Sequence, residues 1–312
     1  FGTSGRGSEG IYQATFNPDN GKFTPAKLAA KIGSPGFLAL HPNGKILYSV
    51  GRWEDGSGAL GYHISKNGEL EEFTRMICPD GGSAHIAVHP SGKFLLTAQY
   101  GGGSVALFPL DSSGKLGEPT VTEHQGGSKV VDRRQDSPHP HWTGFSPDGN
   151  YALIPDLGLD QIVIYKVHSS KPAITPHGEG QSVPGGGPRH MRFSIDGRFI
   201  YLLNELSLSV TTFAWDAQKG TAKALSTTPA ISQEVKAGES FNSAAEILAH
   251  PSGSFVYSSN RGHDTVSVYR ANPKSGKLKV IQVQPVRGAF PRNINLSPDA
   301  TWLLAAGADS NT

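Results

Sequence analysis

The fold is decided by HWTGFSPDGNYALIPDLG, residues 141–158, read against RHMRFSIDGRFIYLLNELS, residues 189–207. Both run through one plan. A polar cluster leads into a short apolar strand, an S-P/I-D-G turn follows, then a longer apolar strand ends in a second polar cluster. Pro at the second turn position presets φ, and Gly at the fourth releases the backbone that follows, so each turn predicts a tight hairpin of type I. Polar residues at the start of the first strand and the end of the second then lie side by side, far from the turn.

Working outward, the same turn recurs as HPNG at His41, HPSG at His89, SPDG at Ser146, SIDG at Ser194, HPSG at His250 and SPDA at Ser297. Successive starts are 48, 57, 48, 56 and 47 residues apart. A third strand follows each pair and usually ends in an aromatic, as in ALGYHI, SVALFPL, QIVIYKV and TVSVYR; a more polar fourth strand closes the unit. Four antiparallel strands in a repeat of this length predict an all-β chain of propeller blades, in one propeller domain over residues 1–312. No amphipathic helical stretch interrupts the pattern. The two longest insertions are Gly126–Pro140 and Ala230–Ser243, and loops of that size are usually functional or mobile.

The ends leave the blade count open. Phe1–Thr3 matches the end of a second strand, and the last unit stops after its own second strand. The N-terminal strands could complete the last unit to close six blades. Alternatively there are seven, with C-terminal strands absent from this chain. Since the chain starts with Phe1 and not Met, a signal peptide can be neither seen nor excluded, and the compartment stays open between cytoplasm, periplasm and secretion.

Composition narrows the function. There are 28 Lys and Arg against 26 Asp and Glu, a formal charge of +2, so no global field argues for a nucleic acid or an acidic membrane. The single cysteine, Cys78, excludes an intrachain disulfide and a multi-Cys zinc site. The turn histidines His41, His89 and His250 sit in separate units, at the opposite end from the polar clusters, and a role in the turn is the reading for them. The glycine-rich GGGPRH, Gly185–His190, precedes a strand and not a helix, so it lacks the dipole of a phosphate-binding loop. No metal and no cofactor are implied.

Aligning the turns sorts the polar residues into two columns. The first reads Gly36-Phe37, Ala84-His85, His141-Trp142, Arg189-His190, Ala245-Glu246 and Arg292-Asn293. The second reads Gly51-Arg52, Gln99-Tyr100, Asp156-Leu157, Asn204-Glu205, Asn260-Arg261 and Gly307-Ala308. In a propeller both columns ring one mouth of the central channel. Arg, His and Glu recur there at equivalent offsets, and several cations at one mouth suit a small anionic molecule.

In PHPHWTGFSPDGNYALIPDLGLDQIVIYKV, GGGPRHMRFSIDGRFIYLLNELS and HPSGSFVYSSNRGHDTVSVYR the chain resembles the seven-bladed lactonase family, which includes propeller-type 6-phosphogluconolactonases and carboxy-cis,cis-muconate cyclases. The resemblance covers essentially the whole chain. It implies seven blades and a catalytic set of one His, two Arg and one Glu, which fall here on His141, Arg189, Glu205 and Arg261. Lactone hydrolysis needs an activated water, a clamp for the developing oxyanion and an anchor for an anionic tail. Glu205 is expected as the general base with His141 as its competitor, and Arg189 and Arg261 as the anion and oxyanion clamps. The blander alternatives are structural ion pairs, Glu205 with Arg189 and Arg261 with Asp264. His85, Tyr100, His190, Asn204, Asn260 and Arg292 are candidates to line the pocket, His190 chiefly by orienting Arg189. The expected partner is a phosphorylated or carboxylated lactone. A muconate cycloisomerase and a non-catalytic binding propeller are the competing functions.

Overall fold

The computed structural model describes residues 1–5 and 7–312. Five four-stranded antiparallel sheets follow one another along the chain, each with its strands paired in sequence order. Their first strands are Leu38–Leu40, Ser83–Val88, Gly144–Phe145, Pro188–Phe193 and Ser243–Ala249. Before them, Gly10–Gln13 pairs with Lys27–Lys31 on one side and bridges Gly2 on the other. After them, Pro291–Leu296 pairs with Leu303–Gly307 as a separate sheet. The fold is therefore a β-propeller of four-stranded blades, as the repeat predicts.

Each predicted turn closes as expected. The amide of the fourth residue donates to the carbonyl of the first at 2.8–2.9 Å in all six: Gly44 to His41, Gly92 to His89, Gly149 to Ser146, Gly197 to Ser194, Gly253 to His250 and Ala300 to Ser297. The fourth residue has φ of 69–72° in the five glycine turns and 56° at Ala300. That left-handed conformation is why glycine is used there. The turn histidines each reach the carbonyl of the next repeat's fourth turn residue: His41 Nε2 to Gly92 O at 3.1 Å, His89 to Gly149 at 3.0 Å and His250 to Ala300 at 3.2 Å. These rings clasp one blade to the next.

The aromatic that ends each third strand faces inward. Tyr62, Phe108, Tyr165, Phe213 and Tyr269 are all buried, at no more than 3% exposure. Truncating one such ring to alanine costs about 3–5 kcal/mol. The Ala230–Ser243 insertion contains a short helix, Gln233–Gly238, capped by the Ser232 hydroxyl accepting from the Val235 amide at 3.2 Å. Ser is a favoured cap, but six residues bury nothing and leave no amphipathic pattern to read. No helix among the described residues is long and apolar enough to cross a membrane.

The chain divides into two compact units. The first is residues 1–126, 138–154 and 165–176; the second is 127–137, 155–164 and 177–312.

Candidate active site

The first polar column gets its direction from a recurring defect in the pairing. In Pro188–Phe193 the register slips between Pro188 and His190, leaving Arg189 as the extra residue. The same slip falls at Ala84, at Ala245-Glu246 and at Arg292. A bulge re-aims the side chain it carries and bends the strand. Arg189 is thereby placed beside the end of the neighbouring strand, where Glu205 follows Asn204.

Glu205 is the centre of the second unit's site. Its Oε2 accepts from Arg189 Nε at 2.8 Å and lies 3.1 Å from Arg261 Nη2. Its Oε1 accepts from Arg134 Nη2 at 2.7 Å. Arg189 also donates to the Ala245 carbonyl, and Arg261 to Ser243 Oγ and to the Ala244 carbonyl, the latter at 2.7 Å. Phe290 lies under the Arg261 guanidinium, 5.1 Å from the ring centroid. Burial disfavours the charge on Arg189 and pushes its pKa down to about 9; Glu205 opposes that, while Arg261 and Arg292 add to it. Burial likewise lowers Arg261, with Glu205 again opposing. Removing one partner of a buried pair of this kind costs about 3–5 kcal/mol, because the other charge is left uncompensated.

Burial separates the cations into two groups. The side chains of Arg189 and Arg261 are 3% and 6% exposed, and that of Arg134 is 38% exposed. Arg189 and Arg261, expected to clamp the substrate, both pair with Glu205. Arg134 is the guanidinium of the set that faces solvent. It escaped the column alignment because it sits in the Gly126–Pro140 insertion, which has no equivalent in the other repeats. The doublet Arg133-Arg134 was the available signal.

A second buried carboxylate lies on the first strand of the next sheet, Ser243–Ala249. Glu246 Oε1 accepts from His190 Nδ1 at 3.0 Å, from Arg192 Nη2 at 3.1 Å and from its neighbour's amide, Ile247 N, at 3.1 Å. Its Oε2 accepts from Asn293 Nδ2 at 3.0 Å. Burial, then Arg189 and Arg192, hold His190 well below the ordinary imidazole value, so its ring is neutral and Nδ1 carries the proton donated to Glu246. Glu246 was in the first column, but its partners come from strands that sequence does not pair. Arg292 is exposed, and its charge acts on Arg189, His190 and Arg261.

Asn204 and Asn260, expected to line the pocket, also bond along their own sheets. Both are fully buried. Asn204 Nδ2 donates to Ser209 Oγ at 3.0 Å and Thr211 Oγ1 at 2.9 Å, and its Oδ1 accepts from Ser182. Asn260 Nδ2 repeats this with Thr265 and Ser267 one sheet later. These amides tie the second strand to the third. Asp264, the alternative partner for Arg261, instead accepts the Phe290 amide at 2.8 Å.

The remaining candidates belong to the first unit. His141 is buried, with its ring edge-on to Tyr100 at 5.2 Å, and Tyr100 stacks on His139 at 4.7 Å. His85 packs against Phe37 at 3.9 Å and Trp142 at 5.2 Å, and its Nδ1 accepts the Thr143 amide at 3.4 Å. Among the described residues, no group of three or more His, Cys, Asp and Glu side chains is placed to hold a metal.

Residues 1–312 match the model of the 7-bladed β-propeller lactonases from end to end. The chain belongs to that lactonase family. It is 33% identical over 305 residues to a 6-phosphogluconolactonase of Bacillus subtilis (strain 168), covering 97% of this chain and 86% of that one. The 6-phosphogluconolactonase of Formosa agariphila is also 33% identical, over 310 residues, with the same coverage. Among solved structures, this lactonase-family chain superimposes on the periplasmic gluconolactonase of Pseudomonas aeruginosa with a TM-score of 0.87 at 30% identity, covering 99% of this chain and 88% of that one. A protein from Lactobacillus plantarum gives 0.91 at 28% identity, covering 98% and 87%.

Proposed function

We propose that the chain hydrolyses a phosphorylated sugar lactone of the 6-phosphogluconolactone type, with Glu205 handling the proton of the attacking water. The observation that carries this reading is three arginines on one carboxylate, which leaves the site with more positive charge than Glu205 cancels. An anionic tail meets that surplus best at Arg134, whose guanidinium faces solvent and matches a phosphate in geometry. Arg261 adds a second cue. Its Nε is buried with no acceptor among the described residues, and an unsatisfied buried donor costs about 1–3 kcal/mol until a ligand or water supplies one.

The chemistry balances without any other group. Water oxygen attacks the lactone carbonyl carbon as Glu205 takes its proton, and the carbonyl π electrons move onto oxygen. Donors held in place stabilise that oxyanion without reorganising. Its collapse re-forms the carbonyl and breaks the ring C–O bond. The proton passes from Glu205 to the departing ring oxygen, leaving a hydroxy acid.

The test compares 6-phosphogluconolactone with unphosphorylated gluconolactone, following acid release above the spontaneous rate. Faster turnover of the phosphorylated lactone is expected. Equal or reversed preference would overturn the phosphate reading, and no rate above buffer with either would overturn hydrolysis. His141→Gln is a parallel arm, since the family resemblance gives that histidine a place in the same reaction.

A further inference from the structure

Behind Arg134, Arg189 and Glu205 lies a buried carboxylate that belongs to none of the polar columns. Asp160 is 1% exposed and sits in the left-handed region at φ 57°. Its Oδ1 accepts from Gln135 Nε2 at 2.6 Å and from the Gly187 amide at 2.9 Å; its Oδ2 accepts from the Gly185 amide at 2.7 Å. Its carbonyl accepts from the Ser182 amide at 2.9 Å.

Each contact leads to a site residue. Gln135 directly follows Arg134. It is itself fully buried, with Nε2 also on the Leu157 carbonyl at 2.8 Å and Oε1 accepting the Val131 amide at 3.1 Å. Gly185 and Gly187 open the segment that runs through Pro188 to Arg189. Both have positive φ, 69° and 67°, and a Cβ on Gly187 would come within 2.5 Å of Leu206 Cγ. The Gly187 carbonyl accepts the Glu205 amide at 2.7 Å, and the Gly186 carbonyl accepts that of Leu206 at 3.0 Å. One side chain therefore ties the insertion carrying Arg134 to the glycine segment that carries Arg189 and seats Glu205. Arg134 has no sheet register of its own; this tie holds its position together with Gln135 on the Leu157 carbonyl and the Ser128 amide on the Gly158 carbonyl.

We infer that Asp160 is the positioning residue of the site, fixing Arg134 against Glu205 and Arg189 through Gln135 and the Gly185–Gly187 amides. The kinetic part of this rests on the hydrolase reading above; the structural part does not. Asp160→Asn keeps the shape but sets an NH2 group against N–H donors. Displacement of the clamp by about 1 Å predicts a 10- to 100-fold loss in kcat/KM.

The experiment compares the full chain with Asp160→Asn, Arg134→Ala, their combination, and Gln135→Ala, which cuts the tie to the insertion along with the Gln135 bonds to the Leu157 carbonyl and the Val131 amide. Steady-state kinetics on 6-phosphogluconolactone are read beside limited trypsin digestion with the cut sites mapped, since Lys129, Arg133 and Arg134 all lie in the insertion. Asp160→Asn and Gln135→Ala should be cut in residues 129–134 faster than the parent chain, with the rest of the chain still resistant. Asp160→Asn should cost less in the Arg134→Ala background than alone, because residues acting through one another are not additive. An unchanged cutting pattern in both variants, or fully additive kinetic losses, would overturn the inference. If the parent chain turns over no lactone, the hydrolase reading falls, and the digestion alone decides the role of Asp160.

Discussion

Arg134 Nη2 donates to Glu205 Oε1 at 2.7 Å across 71 positions of chain. The two residues come from different kinds of structure. Glu205 ends a paired strand of the repeat, and Arg134 comes from the longest insertion. The contact gives the carboxylate a cation on its solvent side, while Arg189 and Arg261 hold it from within the protein.

Replacing Arg134 by alanine should weaken substrate binding more than it slows the chemistry. The side chain is over a third exposed, so the ion pair itself is worth only about 0–1 kcal/mol of stability. KM for the phosphorylated lactone should rise about tenfold or more, with kcat changed much less and the thermal midpoint nearly constant. A fall in kcat at constant KM would show that Arg134 acts in the transition state instead.

His190 makes stability depend on pH in a defined direction. Its native pKa is held below the unfolded value of about 6.5. Below that value the unfolded chain binds a proton that the native ring refuses. Stability is therefore full above about 6.5 and is lost as pH falls. His89, lowered by its own burial, acts in the same sense. Thermal midpoints across this window should fall less steeply in His190→Gln than in the parent chain; parallel curves would contradict the assignment.

Asn204→Ala separates a structural amide from a binding one. Losing its bonds to Ser209, Thr211 and Ser182 should cost about 1–3 kcal/mol in denaturant unfolding. KM should stay at the parent value. A raised KM at unchanged stability would return Asn204 to the substrate pocket.

What sequence could and could not reveal follows from how each residue is placed. The repeat, its six turns and the inward aromatics obey local rules: a glycine that must adopt positive φ, and apolar residues that alternate along strands. Arg189, Glu205 and Arg261 were legible because they occupy columns of that repeat. Arg134 and Gln135 were not, because an insertion carries no register. The bonds of Asn204 and Asn260 along their sheets were not legible either, because a column shows position and not direction. The pairing of Glu246 with His190, Arg192 and Asn293 depends on which strands approach one another. The first column places His190, Glu246 and Asn293 at one level of consecutive repeats, but it gives neither their bonds nor the part played by Arg192.

The most direct measurement is the turnover of 6-phosphogluconolactone by Glu205→Gln beside the parent chain, with folding checked by circular dichroism. The substitution keeps the side chain's shape but removes the charge that is proposed to take the water's proton and that pairs with Arg134, Arg189 and Arg261. Loss of a positioned general base predicts a fall in kcat of about 100- to 10,000-fold in a folded protein. A folded Glu205→Gln variant that keeps the parent kcat would contradict the account.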